Sequence, residues 1–178
     1  MRNQAAVSPP LNPATTLSVL MVCMGNICRS PTAHGVLLKK LQDRGLQRSV
    51  TVDSAGTHSY HTGEPPDTRA QRHAAARGYD LSTLRARSLS DEDFFRFDLI
   101  LVMDWDNLAL TEQRCPDPHK HKIRRLSEFA MSQASPVIPD PYYGPPNGFD
   151  TVLDLIEDAS DGLVTHLEQR IRRTSNRV

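Results

Sequence analysis

The chain has 178 residues, 38% of them hydrophobic, enough for one α/β domain with a real core and short for two. Lys plus Arg balances Asp plus Glu at 21 each, which argues against a broad nucleic-acid or membrane-binding surface and leaves any charged site local. The three cysteines, Cys23, Cys28 and Cys115, are odd in number and two lie close together, which argues against a secreted disulfide framework and fits a reducing cytoplasm.

Residues 1–16, MRNQAAVSPPLNPATT, lack the apolar stretch of a signal peptide and read as a disordered leader. Leu17 to Val22 is a short apolar run suited to a strand buried on both faces. It is far below the roughly 20 residues that cross a bilayer, so no membrane insertion is expected. Ser30 can cap a helix whose first position suits Pro31, with Ala33, Leu37 and Leu41 on one face and Gly45 as its end. A second strand is expected at Val50 to Ser54. A loop rich in Gly, His and Pro follows, then an Ala-rich helix from Asp67 to about Arg77 that stops at Gly78.

Ser90 to Asp93 resembles the cap and acidic first turn of a short helix, and Phe97 to Met103 reads as another buried strand. Asp104 to Leu110 reads as helix, Ile123 to Leu126 as a short strand, and the segment containing Pro136, Pro139, Pro141, Pro145 and Pro146 as a long loop. Phe149, Val152, Ile156, Ala159, Leu163 and Leu167 mark one face of a last helix. Strands alternating with helices imply an α/β fold, a four-stranded parallel, doubly wound sheet with helices on both faces and ligands at the carboxyl ends of its strands.

The stretch VCMGNICRSP, residues 22–31, leaves the first strand at such an end. If residues 24 to 29 curl into a compact turn, their N–H groups face one centre and the following helix adds its positive end, making an anion cradle. Gly25 permits close approach, Asn26 tolerates a left-handed conformation, and the Arg29 fork can grip two oxygens. The same donors favour a thiolate on Cys23. Zinc is the rival use of Cys23 and Cys28, but a second clustered pair is missing and His119-Lys120-His121 reads as a solvated basic loop, so no metal and no cofactor is expected.

Cys23, Gly25, Asn26, Cys28, Arg29, Ser30 and Pro31 resemble the loop motif of the low-molecular-weight protein tyrosine phosphatases. Asp53-Ser54-Ala55-Gly56, Met103-Asp104 and Asp140-Pro141-Tyr142-Tyr143-Gly144 extend the resemblance over about Leu17 to Leu167. It implies a phosphatase domain over 17–172, followed by a flexible basic tail at 173–178. It also implies phosphotyrosine-containing protein substrates, and a monomer or weak self-association is expected. Cys23 would be the nucleophile and Asp140 the general acid and base. Arg29 and the N–H groups of Met24, Gly25, Asn26, Ile27, Cys28 and Arg29 would hold the phosphate, with Ser30 bonded to the Cys23 sulfur. Asn26 would tie the loop to Ser30 and Ser54. Arg77 stands where animal members have a histidine in that network, which leaves its third anchor open.

Tyr142 and Tyr143 would form one wall of a substrate cleft and Tyr60 would face them; ordinary packing is the plainer role for any one tyrosine. Cys28 would protect Cys23 by reversible oxidation, and Cys115 is read as structural. Among relatives with the same loop, arsenate reductases need further cysteines that this chain lacks. Protein arginine phosphatases typically have threonine where this chain has Ile27, whose bulk favours a planar phenyl ring over a branched guanidinium. A phosphotyrosine-binding module without turnover would have no need of both Cys23 and Asp140.

Overall fold

A computed structural model describes residues 16–177; the expected leader falls almost entirely outside them. In chain order the elements are β1 (Leu17–Cys23), α1 (Arg29–Asp43), β2 (Val50–Gly56), α2 (Thr68–Ala76), α3 (Asp93–Arg96), β3 (Leu99–Val102), α4 (Trp105–Arg114), β4 (Ile123–Arg125) and α5 (Gly148–Ser175). Short 3₁₀ turns at Asp117–Lys122 and Leu126–Phe129 flank β4. The four strands are all parallel, in the order β2-β1-β3-β4. β1 is central, so its carboxyl end at Cys23 lies between Gly56 of β2 and the end of β3.

Alternation along the buried strands sends side chains to two cores. Val19 and Met21 join Leu99, Leu101 and the apolar faces of α1 and α5, including Leu37, Leu41, Ile156 and Leu163. Leu20, Val22, Ile100 and Val102 face the other way, onto Phe94 and Phe97 around α3, Leu108 of α4, and Cys115. Helices therefore cover both faces, as the alternating pattern implies. Cys115 is a buried packing residue, and burial pushes its thiol above the usual value.

Several boundaries differ from the sequence reading. Helix α1 begins at Arg29, and Cys28 at its N-cap makes no side-chain capping bond. Ser30 is therefore not a cap: its hydroxyl turns into the loop described below, and Pro31 is the third helical residue. α2 begins at Thr68 because the Asp67 carboxylate accepts the N–H groups of Arg69 and Ala70. The Arg69 guanidinium first, and these backbone bonds with it, hold the Asp67 carboxyl below the usual range. β3 is shorter than Phe97 to Met103, and α4 runs a turn past Leu110. α5 continues to Ser175, beyond the expected domain end at 172.

The loop carrying Asp140 is fixed at both ends of its course. The N–H groups of Met131, Ser132 and Gln133 donate to Asp158 of α5, and the Ile138 N–H donates to the Met103 carbonyl at 2.7 Å. Gly162 lets α5 lie directly on the turn that begins this loop, because a Cβ there would overlap the Phe129 carbonyl oxygen. Replacing Gly by Ala in a free helix gains about 1 kcal/mol, while overpacking costs up to about 3. Gly162→Ala should therefore destabilise the protein by about 2 kcal/mol, measurable as a lower urea midpoint at unchanged slope.

Candidate active site

The loop from Cys23 to Arg29 is shaped by what holds its carbonyls. The Cys23 carbonyl accepts from Thr57 N–H at 2.9 Å, Met24 from His58 at 3.0 Å, and Ile27 from Asp67 at 2.8 Å. The Thr32 hydroxyl donates to the Cys28 carbonyl at 2.6 Å. In a trans peptide the C=O and the following N–H point in opposite directions, so N–H groups 24, 25, 28 and 29 face away from these partners. Among the described residues, the N–H groups of Met24 to Cys28 have no acceptor within the protein. They form the cradle expected from the spacing, completed by the start of α1.

Asn26 adopts φ 57°, a left-handed conformation that costs most residues about 1–2 kcal/mol. Its amide crosslinks the loop: Nδ2 donates to Ser30 Oγ at 2.7 Å and Ser54 Oγ at 3.0 Å, while Oδ1 accepts from the Arg87 N–H at 3.0 Å. The Ser30 oxygen accepts from Asn26, and its hydroxyl lies 3.0 Å from the Cys23 sulfur and 3.4 Å from the Ala55 carbonyl oxygen. Arg77 takes no part. It turns to α5, where Asp154 and Glu157 bind it. His34, one turn beyond Ser30, lies instead with Nδ1 3.4 Å from Ser54 Oγ. Burial lowers the His34 pKa below the usual 6.5, with Asp53 opposing.

Arg29 is 2% exposed. Its Nη1 donates to Asp104 Oδ2 at 2.5 Å and to the Ile138 carbonyl at 3.0 Å, and its Nη2 lies 3.6 Å from Asp140 Oδ2. Burial alone would lower the pKa of this guanidinium, but Cys23, Asp104 and Asp140 outweigh it and raise the value, so the fork is charged and held from behind. Asp140 is more open, with 41% of its side chain exposed, and its Oδ1 accepts the Tyr142 N–H at 3.1 Å. Cys28 differs from Cys23 in its surroundings: burial first and Asp67 second push its thiol far up, which keeps it protonated. Cys23, Cys28 and Cys115 are all free thiols.

A cavity of about 310 Å³ opens over the loop, lined by Cys23, Gly25, Ile27, Arg29 and Asp140 together with Tyr60, Tyr142 and Tyr143, of which Tyr60 and Tyr143 are the most exposed. The expected cleft residues are thus brought together. Tyr142 and Tyr143 meet edge to face at 4.7 Å, and Tyr143 is 93% exposed. Arg69 stacks on the Tyr142 ring and donates to its carbonyl at 3.1 Å. Sequence reasoning missed four supports: Asp104 as the partner of Arg29, the Arg87 N–H, His34, and His61, which lines the cavity with Nδ1 2.8 Å from Glu64. Only Asp104 carried a signal, as an acid directly after a buried strand.

The parallel α/β sheet thus brings a cysteine, a buried arginine and unpaired backbone N–H groups together at the carboxyl end of a central strand, where ligands of such sheets bind. The family model for low molecular weight phosphotyrosine protein phosphatases matches residues 18–173, and the chain belongs to that family of enzymes. It is 36% identical over 159 residues to the low molecular weight protein-tyrosine-phosphatase of Streptomyces coelicolor, covering 88% of this chain and 96% of that protein. It is 42% identical to the human low molecular weight phosphotyrosine protein phosphatase, over 77% of this chain and 87% of the human one. A crystal structure of a protein tyrosine phosphatase from Entamoeba histolytica, with Hepes in its active site, superposes with a TM-score of 0.84 at 40% identity, covering 86% of this chain and 98% of that one.

Two outcomes test this geometry. Asn26→Ala loses the network and incurs the left-handed penalty, whereas Asn26→Gly loses the network alone; chemical denaturation should find the glycine variant more stable by about 1 kcal/mol. His34 sits neutral in the fold while the unfolded chain protonates near 6.5. Stability held by its burial is full above that value and is lost as pH falls toward the lower folded pKa. His34→Gln should flatten the decline in unfolding free energy between pH 7 and 5.

Proposed function

We propose that the enzyme hydrolyses phosphotyrosine through a cysteinyl-phosphate on Cys23, with Asp140 as general acid and then general base. The observation that carries this reading is the convergence of Cys23, Arg29 and Asp140 on one cavity that three tyrosines also line. The Cys23 thiolate attacks phosphorus in line, the P–O bond breaks, and the Asp140 carboxyl gives its proton to the departing phenol oxygen. Water then attacks the phosphoenzyme, Asp140 takes its proton, the S–P bond breaks, and the thiolate returns. Arg29 and the N–H groups of residues 24–29 stabilise the equatorial oxygens in both steps. The Ser30 hydroxyl stabilises the thiolate as it leaves, and Asn26 and Ser54 hold Ser30 in place.

Ile27 in the cavity lining and the ring pair Tyr142–Tyr143 suit a flat aryl group better than a branched guanidinium, favouring phosphotyrosine over phosphoarginine. No helix among the described residues is long and apolar enough to cross a membrane. Three free cysteines fit a reducing cytoplasm, where Cys28 could protect Cys23 by reversible oxidation.

The reading is tested with reduced protein on phosphotyrosine and phosphoarginine peptides. Phosphotyrosine should be the better substrate and Cys23→Ser should abolish turnover; a preference for phosphoarginine would overturn the role given to Ile27. The leaving phenol of tyrosine has a pKa near 10, so Asp140→Ala should lower kcat about 10²- to 10³-fold on phosphotyrosine. The loss should be much smaller on an aryl phosphate with a strongly acidic phenol. Equal losses on both would contradict the general-acid role.

A further inference from the structure

The Asp140 side chain is 41% exposed, so close packing does not confine it, and its orientation depends on polar neighbours. Oδ1 accepts the Tyr142 N–H at 3.1 Å, and Oδ2 lies 3.6 Å from Arg29 Nη2. Where Tyr142 stands therefore helps to decide where the acid points. From Pro139 to Pro146, the Tyr142 carbonyl is, among the described residues, the one backbone group hydrogen-bonded to a residue distant in the chain. Its donor is Arg69 Nη1, at 3.1 Å.

Arg69, in the first turn of α2, makes three kinds of contact with one guanidinium. Nε and Nη2 donate to the two oxygens of Asp67 at 3.1 and 2.9 Å, while Nη1 reaches Tyr142. The central carbon lies 5.2 Å from the centre of the Tyr142 ring and 4.9 Å from that of Phe149. A planar fork can bond a carboxylate twice, a carbonyl once and stack on aromatic faces; the point charge of a lysine cannot. The Asp67 N–H in turn donates to the Ile27 carbonyl at 2.8 Å. One path of bonds thus runs from the Cys23–Arg29 loop through Asp67, Arg69 and Tyr142 to the acid. Tyr142 lines the cavity, whereas Arg69 lies over its ring without lining it.

We propose that Arg69 is a positioning residue for Asp140: it holds the Tyr142 carbonyl and ring in place over the Cys23–Arg29 loop, and the Tyr142 N–H then aims the carboxyl at the leaving oxygen. The proposal rests on the reading of Asp140 as general acid given above. Proton transfer requires the acid within hydrogen-bond reach of the departing oxygen, and a misplacement of about 1 Å costs up to about 10²-fold in rate. Without Arg69 the acid loop loses its bond to a distant residue and the Tyr142 ring loses its cationic neighbour. The loop N–H groups, Cys23 and Arg29 keep their partners. The loss therefore falls on protonation of the leaving group and spares phosphate binding.

The test measures kcat/KM of Arg69→Met, which keeps the stem, and Arg69→Lys, which keeps the charge without the fork. The substrates are a phosphotyrosine peptide and an aryl phosphate whose strongly acidic phenol leaves without a proton donor. Both variants should lose roughly tenfold on phosphotyrosine and less than about threefold on the acidic aryl phosphate, with inhibition by inorganic phosphate unchanged. Because Arg69 acts through the acid, adding Arg69→Met to Asp140→Ala should cost less than about threefold more on phosphotyrosine. Equal losses on the two substrates, weaker inhibition by phosphate, the whole loss retained in the absence of Asp140, or wild-type kcat/KM in both variants would overturn the role. The two readings fail separately. Equal losses in Asp140→Ala alone remove the general acid and the role of Arg69 with it, whereas a leaving-group dependence present in Asp140→Ala and absent from both Arg69 variants removes the Arg69 proposal alone.

Discussion

Four carbonyls of the loop after β1 are bonded away from its centre, and the organisation of the site depends on that constraint. Thr57, His58, Asp67 and Thr32 supply the donors, from three different segments. Each outward carbonyl turns the next N–H inward, so the cradle is a consequence of neighbours that never touch the anion. Asn26 completes the shape by accepting a left-handed backbone, donating both amide N–H groups to Ser30 and Ser54, and accepting the Arg87 N–H. Gly56 is required beside it, since a Cβ there would come within 2.7 Å of the Met24 carbonyl oxygen.

The same neighbours assign different chemistry to two cysteines in one short loop. Cys28 lies in a small apolar cluster with Ile27, Ala70 and Phe149, and that burial, with the carboxylate of Asp67 adding to it, keeps it a thiol. Cys23 ends the central strand, faces Ser30 and opens into the cavity. Asp67 therefore caps α2, holds the Ile27 carbonyl through its N–H, and biases Cys28. Arg29 is prepared in a comparable way. Asp104 and the Ile138 carbonyl fix Nη1 from behind, and the Ile138 N–H is itself tied to Met103 just past β3, so the Asp140 loop and the arginine share one anchor.

That Cys23, Arg29 and Asp140 come together was legible because they sit in two short stretches, Cys23 to Pro31 and Asp140 to Gly144, and the structure lines one cavity with all three. The parallel sheet was legible from apolar runs alternating with helical faces. What was not legible depends on partners far along the chain. Asp104 meets Arg29 across 75 residues, and the Arg87 N–H meets Asn26 across 61. Ser30 read as a cap because serine before proline has that local preference, but Asn26 and Cys23 compete for its hydroxyl and win. The sequence leaves open whether Arg77 is an anchor of the loop network, because only the fold shows the three acids on α5 that draw it away.

The central claim is that Cys23, among the nucleophiles at the loop, carries the phosphoryl group. The most direct measurement is rapid acid quench of the enzyme during turnover of a phosphotyrosine peptide, followed by mass-spectrometric mapping of phosphate on the enzyme. The account predicts phosphate on Cys23 and none on Cys28 or Ser30, accumulating within the first turnover. Phosphate on Ser30, or steady turnover with no phosphoenzyme, would contradict it.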